Sequence, residues 1–197
     1  MGKLLYQGHG SYRIVSDKGI VIYVDPFAGE GYDLPADIVL VSHEHADHNQ
    51  LKLVQQNKDC VVLRPENIFK YGVYGSRKVQ DISIQAVPAY NDKHNKNKCV
   101  GYVITLDGVK VYASGDTSCT DYMREVLSNE KLDYALLPID GIFNMNPEEA
   151  SACAEVIGAA HTIPIHMKPR ALFDREKAER FVVKGRLILE PKEEIEL

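Results

Sequence analysis

Residues 40–50 read LVSHEHADHNQ, which places His43, His45, Asp47 and His48 almost side by side in a chain that has only seven histidines. Histidine is the commonest side-chain metal ligand near neutral pH. In an extended segment residues two apart point the same way, so His43 and His45 share a direction. Asp47 and His48 follow where the chain leaves a strand for a helical turn and neighbouring side chains diverge. H-x-H-x-D-H therefore offers two donors to one point and two to a point beside it. A pair of divalent ions about 3.5–4 Å apart uses that arrangement.

Such a site needs further donors, and other strand ends supply them. VYASGDT ends a strand at Asp116 beside Gly115, where a carboxylate could bridge two ions. TIPIH ends another strand at His166, and VPAYNDKH carries His94 beyond a third. His9, in the glycine-flanked turn GHGS, is read either as a candidate pocket residue or as a turn residue without chemistry. His161 is read as structural, at a helix end where a cation favours the dipole.

The elements that must position these groups are mostly strands in the first half. KLLYQG, YRIVSD and GIVIYVDP, separated by turn signals, read as an antiparallel meander. ADIVLVSH reads as a strand buried on both faces. NQLKLVQQNKD is expected as a short helix, and CVVLRP and ISIQAVPAY as strands. VGYVITLDGVKVYA reads as a hairpin about Asp-Gly. Residues 119–129 are expected to be helical and DYALLPID a buried strand. NMNPEEASACAEVIGAA carries the clearest helix pattern: Asn146 can cap, Pro147 suits the first helical position and Glu149 completes a capping box. Ala150, Cys153, Ala154 and Ile157 would form its buried stripe. HTIPIH is expected as a strand, FDREKAERFV as a helix capped by Asp174, and GRLILEP as the last strand. Strands first and helices later imply an α/β (α+β) architecture: two packed sheets with helices on the outer faces. No linker divides the chain, so 1–197 is read as one domain.

Hydrophobic residues at 45% and charged residues at 26% suit a folded globular protein. A net charge of −5 argues against a general nucleic-acid binder. No apolar run is long enough for a membrane span, and the N-terminal stretch lacks the apolar core of a signal peptide. Cys60, Cys99, Cys119 and Cys153 are scattered without a C-x-x-C pair and are read as reduced thiols. A cytoplasmic protein is expected, with no nucleic-acid or membrane partner.

SHEHADH, ASGDT and PIHMKP, in that order and preceded by VDPF, resemble the metallo-β-lactamase superfamily. GHGSYRI, AYN…H…VGYVI, YASGDT and NPEEA are similar to elements of its small Zn-dependent hydrolases, the ascorbate-phosphate lactonase-like group. The resemblance spans nearly the whole chain and implies an αββα sandwich with metals at one edge. It also implies that His43 and His45 bind a first metal, that Asp47, His48 and His166 bind a second, and that Asp116 bridges. Asp25 of VDPF resembles the superfamily's buried acid, which orients a ligand imidazole. For the third histidine of the first metal, much of the superfamily has Gly-His or Ala-His where Tyr90 stands here. A subgroup reading A-Y-N, H-P-K-G, V-G-Y implies His94 instead, although HPKG has become HNKN; the alternative is a first site with two histidines.

The implied activity is metal-dependent hydrolysis by a metal-bound hydroxide, with Asp47 and Asp116 at the reacting centre. Two divalent ions are expected; Zn²⁺ best suits the histidines, while the carboxylates tolerate Mn²⁺ or Fe²⁺. Lys168 and Arg170 after His166, with Tyr90 and Asn91, are candidate substrate contacts. They point to a small anionic ester, lactone or phosphodiester. Two other classes stay open. One is a non-catalytic metal-binding or regulatory protein on the same fold. The other is an iron-dependent redox protein, against which His45 argues, since that branch has Glu there.

Overall fold

The computed structural model describes residues 1–197. Its strands, in chain order, are β1 (Lys3–Gly8), β2 (Ser11–Val15), β3 (Val21–Val24), β4 (Ala36–Leu40), β5 (Gln56–Leu63), β6 (Phe69–Lys70), β7 (Val73–Tyr74), β8 (Ser76–Val79), β9 (Ile82–Pro88), β10 (Val100–Leu106), β11 (Val109–Ala113), β12 (Tyr134–Pro138), β13 (His161–Ile165) and β14 (Glu194–Glu196). Its α-helices are α1 (Pro65–Ile68), α2 (Asp121–Glu125), α3 (Pro147–Ile157) and α4 (Arg175–Arg180).

Two six-stranded sheets form, ordered β14-β1-β2-β3-β4-β5 and β13-β12-β11-β10-β9-β8. Both are mixed. β3, β4 and β5 run parallel and the rest of the first sheet antiparallel, while β11, β12 and β13 run parallel and the rest of the second antiparallel. The facing sides are apolar by alternation. Leu4, Tyr6, Ile14, Ile22, Ile38 and Leu40 of the first sheet meet Ile82, Ile84, Tyr102, Ile104, Leu136 and Ile163 of the second in one cluster. Burying one such side chain contributes about 1.5–3 kcal/mol. Tyr102 also donates its hydroxyl to the Val41 carbonyl at 2.8 Å, tying the sheets together beside the histidine segment.

On the outer side of the second sheet, α3 buries Ala150, Cys153, Ala154 and Ile157 against Ala135 and Leu137, with Met123 of α2 and Ala178 of α4 alongside. The α3 cap is as expected: the Asn146 side chain accepts from Glu149 N, and Glu149 accepts from Asn146 N, both at 2.9 Å. The outer side of the first sheet is covered by the 3-10 turn Leu51–Leu53 and by Tyr32 and Leu34. The β10–β11 hairpin turns on Asp107 (φ 51°) and Gly108 (φ 83°), both left-handed as a tight Asp-Gly turn requires.

Three expectations need correction. NQLKLVQQNKD is one 3-10 turn followed by the start of β5. Gln56–Asp59 lie on an exposed sheet edge, where charged residues are common and no apolar alternation betrays a strand. GRLILEP is not a ladder strand, since Arg186 makes a single bridge to Thr162. The C-terminal strand is β14, which pairs with β1. His161 is not at a helix end; it begins β13 and stacks on Tyr134 at 5.2 Å.

β9, β11, β12 and β13 of one sheet and β3 and β4 of the other all end at the same edge of the sandwich, joined there by the β1–β2 turn. Ends of parallel strands are where α/β sheets commonly carry their sites.

Candidate metal centre

Each cluster member stands just past a strand or in a turn at that edge. His43, His45, Asp47 and His48 follow β4; Asp25 follows β3; His94 follows β9; Asp116 follows β11; Asp140 follows β12; His166 follows β13; and His9 lies in the β1–β2 turn. The backbone is bent hard to aim three of them. His9, Asp25 and His166 have φ of 57°, 44° and 45°. A left-handed non-glycine residue costs about 1–3 kcal/mol and persists only where its surroundings hold it. Here the His166 amide donates to the His9 carbonyl at 2.7 Å, so the two strained residues brace each other across the sandwich.

The donor atoms converge in overlapping groups, within each of which all lie within 4.8 Å of one another: His43, His45 and His94; His9, Asp47, His48 and His166; and His43, His48 and Asp116. Asp116 lies among them, 3.2 Å from His94 Nε2 and 3.5 Å from both His48 Nε2 and His166 Nε2. Asp47 Oδ2 is 3.1 Å from His9 Nε2 and 3.6 Å from His166 Nε2. His43 Nε2 and His45 Nδ1 are 3.0 Å apart.

Behind this cluster, the second ring nitrogens of His43, His48, His94 and His166 each face a polar side chain. Asp25 accepts from Ser42 N and Ser42 Oγ at 2.6 Å and lies 2.9 Å from His48 Nδ1. Ser42 Oγ in turn lies 3.0 Å from His43 Nδ1. One carboxylate thus orients two imidazoles, His48 directly and His43 through Ser42. Asn91 Oδ1 accepts from the amides of Lys93 and His94 and sits 3.0 Å from His94 Nδ1. His166 Nδ1 lies 3.1 Å from Asp140 Oδ2, and Asp140 Oδ1 accepts from the amides of Ile142 and Phe143. Asn144 donates to Asp140 at 2.7 Å and accepts from Asn91 at 3.3 Å, so one chain of hydrogen bonds runs from behind His166 to behind His94.

The donor set fits divalent cations. His48 Nε2 and His166 Nε2 are buried without a hydrogen-bond partner, and a buried nitrogen aimed at carboxylates beside other imidazoles suits a cation. The electrostatics agree. Burial lowers His166, but Asp116 and Asp140 outweigh it and push the group up to about 10. Burial also lowers His48, which Asp116 and Asp25 raise above its ordinary value. Burial alone would raise Asp116, yet His48 and His166 hold it well below the carboxylate range. Asp47 behaves likewise, held low by His166 and His9. His43 is lowered by burial and by its neighbour His48. This field holds positive charge, proton or metal.

A cleft of about 700 Å³ opens over His45, Asp47, His94, Asp116 and His166. Phe27, Phe143 and Pro169 form apolar walls, and Lys93 and Arg170 place two cations at its rim.

These observations sort the sequence expectations. His43, His45, His94, Asp47, His48, Asp116 and His166 are brought together, and Asp25 lies behind His48. His9, left open between pocket and turn, is fully buried against Asp47. Of the candidate substrate contacts only Arg170 lines the cleft. Lys168 is exposed outside it. Asn91 spends its amide on His94, Phe143 and Asn144, and the Tyr90 backbone is bonded to Thr117 and Ser118. Sequence reasoning missed Ser42 and Asp140. Asp140 had a signal: DYALLPID is a buried apolar strand ending in an acid, the same pattern that marks Asp25.

The family model for the beta-lactamase superfamily domain matches residues 3–166, a span that holds the whole cluster. The chain belongs to the metallo-β-lactamase superfamily. Among members of this superfamily it is 32% identical, over all of both chains, to a UPF0173 metal-dependent hydrolase of Thermococcus onnurineus. It is 34% identical to another such hydrolase from Methanoculleus marisnigri, across 83% of this chain and 80% of the relative. A metallo hydrolase from Ignicoccus hospitalis, Igni18, superposes with a TM-score of 0.76 at 23% identity, covering 98% and 97% of the two chains, which shows the shared fold. The protein is a metal-dependent hydrolase of this superfamily.

Proposed function

We propose that the protein hydrolyses a small anionic ester, lactone or phosphodiester using two divalent ions, with Zn²⁺ the best match to the histidines and Mn²⁺ or Fe²⁺ tolerated. His43, His45 and His94 would hold one ion, and Asp47, His48 and His166 the other, with Asp116 shared. The observation that carries this reading is Asp116, buried within 3.5 Å of three imidazoles that belong to both sets. Bound there, the ions supply Lewis acidity and lower the pKa of water toward neutrality.

The chain's own residues set the rest. Asp47 and Asp116 stay ionised because their histidine neighbours hold them low, so both serve to bind a cation rather than to keep a proton. Asp25, Ser42, Asn91 and Asp140 orient His48, His43, His94 and His166, leaving the Nε2 atom of each for a metal. Arg170 and Lys93 give the cleft its preference for negative charge, and Phe27 and Phe143 flank the less polar part of a substrate.

The test is a panel of matched anionic and neutral esters, lactones and phosphodiesters with wild type and Arg170→Ala. An increase in KM of about tenfold for the anionic members alone, with kcat kept, is expected from losing one charge-assisted contact. Equal turnover of neutral and anionic members by both proteins would contradict the anionic reading.

A further inference from the structure

Away from the metal cluster, a second cleft of about 420 Å³ opens between α3 and the segment leading into α2. Cys119 and Cys153 line it together, with Arg124, Met145 and Glu149. Cys119 is half-buried and Cys153 almost wholly buried; both are free thiols. Arg124 Nη1 donates to Cys119 Sγ at 3.1 Å, and Cys153 Sγ donates to Met123 Sδ at 3.5 Å. The charged groups around Cys119 are Arg124, which favours a thiolate, and Asp121, which opposes it; the Glu149 carboxylate is engaged with the Asn146 amide. The neighbouring Cys153 thiol and Arg124 lower Cys119, burial notwithstanding, while the Cys119 thiol and burial raise Cys153. An accessible low-pKa thiol next to a buried partner is the arrangement of an attacking and a resolving cysteine. Neither thiol takes part in the metal centre.

We propose that Cys119 is a thiol-exchange site for low-molecular-weight disulfides bearing carboxylates, with Cys153 as its resolving thiol. The Cys119 thiolate attacks one sulfur of the disulfide; that S–S bond breaks, and the leaving thiolate takes a proton from solvent. Cys153 then gives its proton to solvent and attacks the Cys119 sulfur. The second small thiolate leaves, and a Cys119–Cys153 bond remains. Two protein thiols are oxidised and one small disulfide is reduced to two thiols. Arg124 steadies the thiolate and attracts the carboxylate of the incoming disulfide.

The experiment treats the full-length, metal-loaded protein with oxidised glutathione, traps free thiols with N-ethylmaleimide and maps the peptides by mass spectrometry. Wild type is expected to give a Cys119–Cys153 linked peptide. Cys153→Ser is expected to stop at glutathione on Cys119, and Arg124→Gln to slow the first step by about tenfold. Cys60, whose thiol is raised by burial and Asp37, serves as the internal control and should stay largely unmodified. The proposal is overturned if Cys119 reacts no faster than Cys60 in wild type, or if glutathione persists on Cys119 when Cys153 is present. Should Cys153→Ser fail to fold, the wild-type peptide map and the Arg124→Gln rate still decide the matter.

Discussion

At the scale of single residues, the centre depends on acids that stand behind the imidazoles. Asp140 is one, its Oδ2 lying 3.1 Å from His166 Nδ1 while its Oδ1 holds two loop amides. Asp140→Asn keeps an oxygen for the amides and removes the charge. Metal affinity is expected to fall about 10–100-fold with the fold intact, as measured by chelator competition and circular dichroism. Unchanged affinity would mean that Asp140 only shapes its loop. The same carboxylate field sets a pH dependence. In the metal-free protein His166 is pushed up to about 10, so at neutral pH a metal must displace its proton. Apparent affinity should therefore rise with pH, by about tenfold per unit from this group, and level off above pH about 10. Asp47 and Asp116 are held low and lose no proton over that range. An affinity that falls as pH rises from 6 to 9 would contradict the sign. The histidines and Asp116 could be read from residue type and spacing. Ser42 could not, because a serine next to a histidine has no pattern of its own, and only folding brings it between Asp25 and His43.

At the scale of elements, the strand ends do the positioning, and one glycine makes a strand end possible. Gly115 has φ 63°, and a Cβ there would lie 2.7 Å from Ser42 Cβ and 3.1 Å from the Val100 carbonyl. Gly115→Ala therefore strains the backbone and pushes on Ser42, the residue through which Asp25 reaches His43. We expect it to lower stability by about 1–3 kcal/mol and to weaken metal binding as well, read by denaturant unfolding and titration. A stable variant with wild-type affinity would show that the close contact relaxes without consequence. Elements with a strong local signal were legible: the capped α3, the Asp-Gly hairpin and the buried strands before Asp25, His43 and Asp140. Those that depend on pairing were not. The polar edge half of β5 takes its conformation from β4, and β14 takes its from β1; neither carries an apolar rhythm of its own.

At the scale of the whole molecule, two sheets must meet for either donor set to exist. His43, His45, Asp47 and His48 come from the first sheet, and His94, Asp116 and His166 from the second. The His9–His166 backbone bond and the Tyr102–Val41 bond clamp the sheets at the edge where the donors converge. The order of strands before helices made the sandwich legible. The seating of the third histidine was not, because it rests on Asn91, which is itself held by Asn144, 53 residues away in the chain. The proposed dinuclear centre is tested most directly by metal content, measured by plasma mass spectrometry on wild type and His94→Ala purified without chelators or added metal. About two metals per chain, falling toward one in the variant, is the expected result. About one metal in both proteins would contradict a dinuclear centre and remove His94 from it.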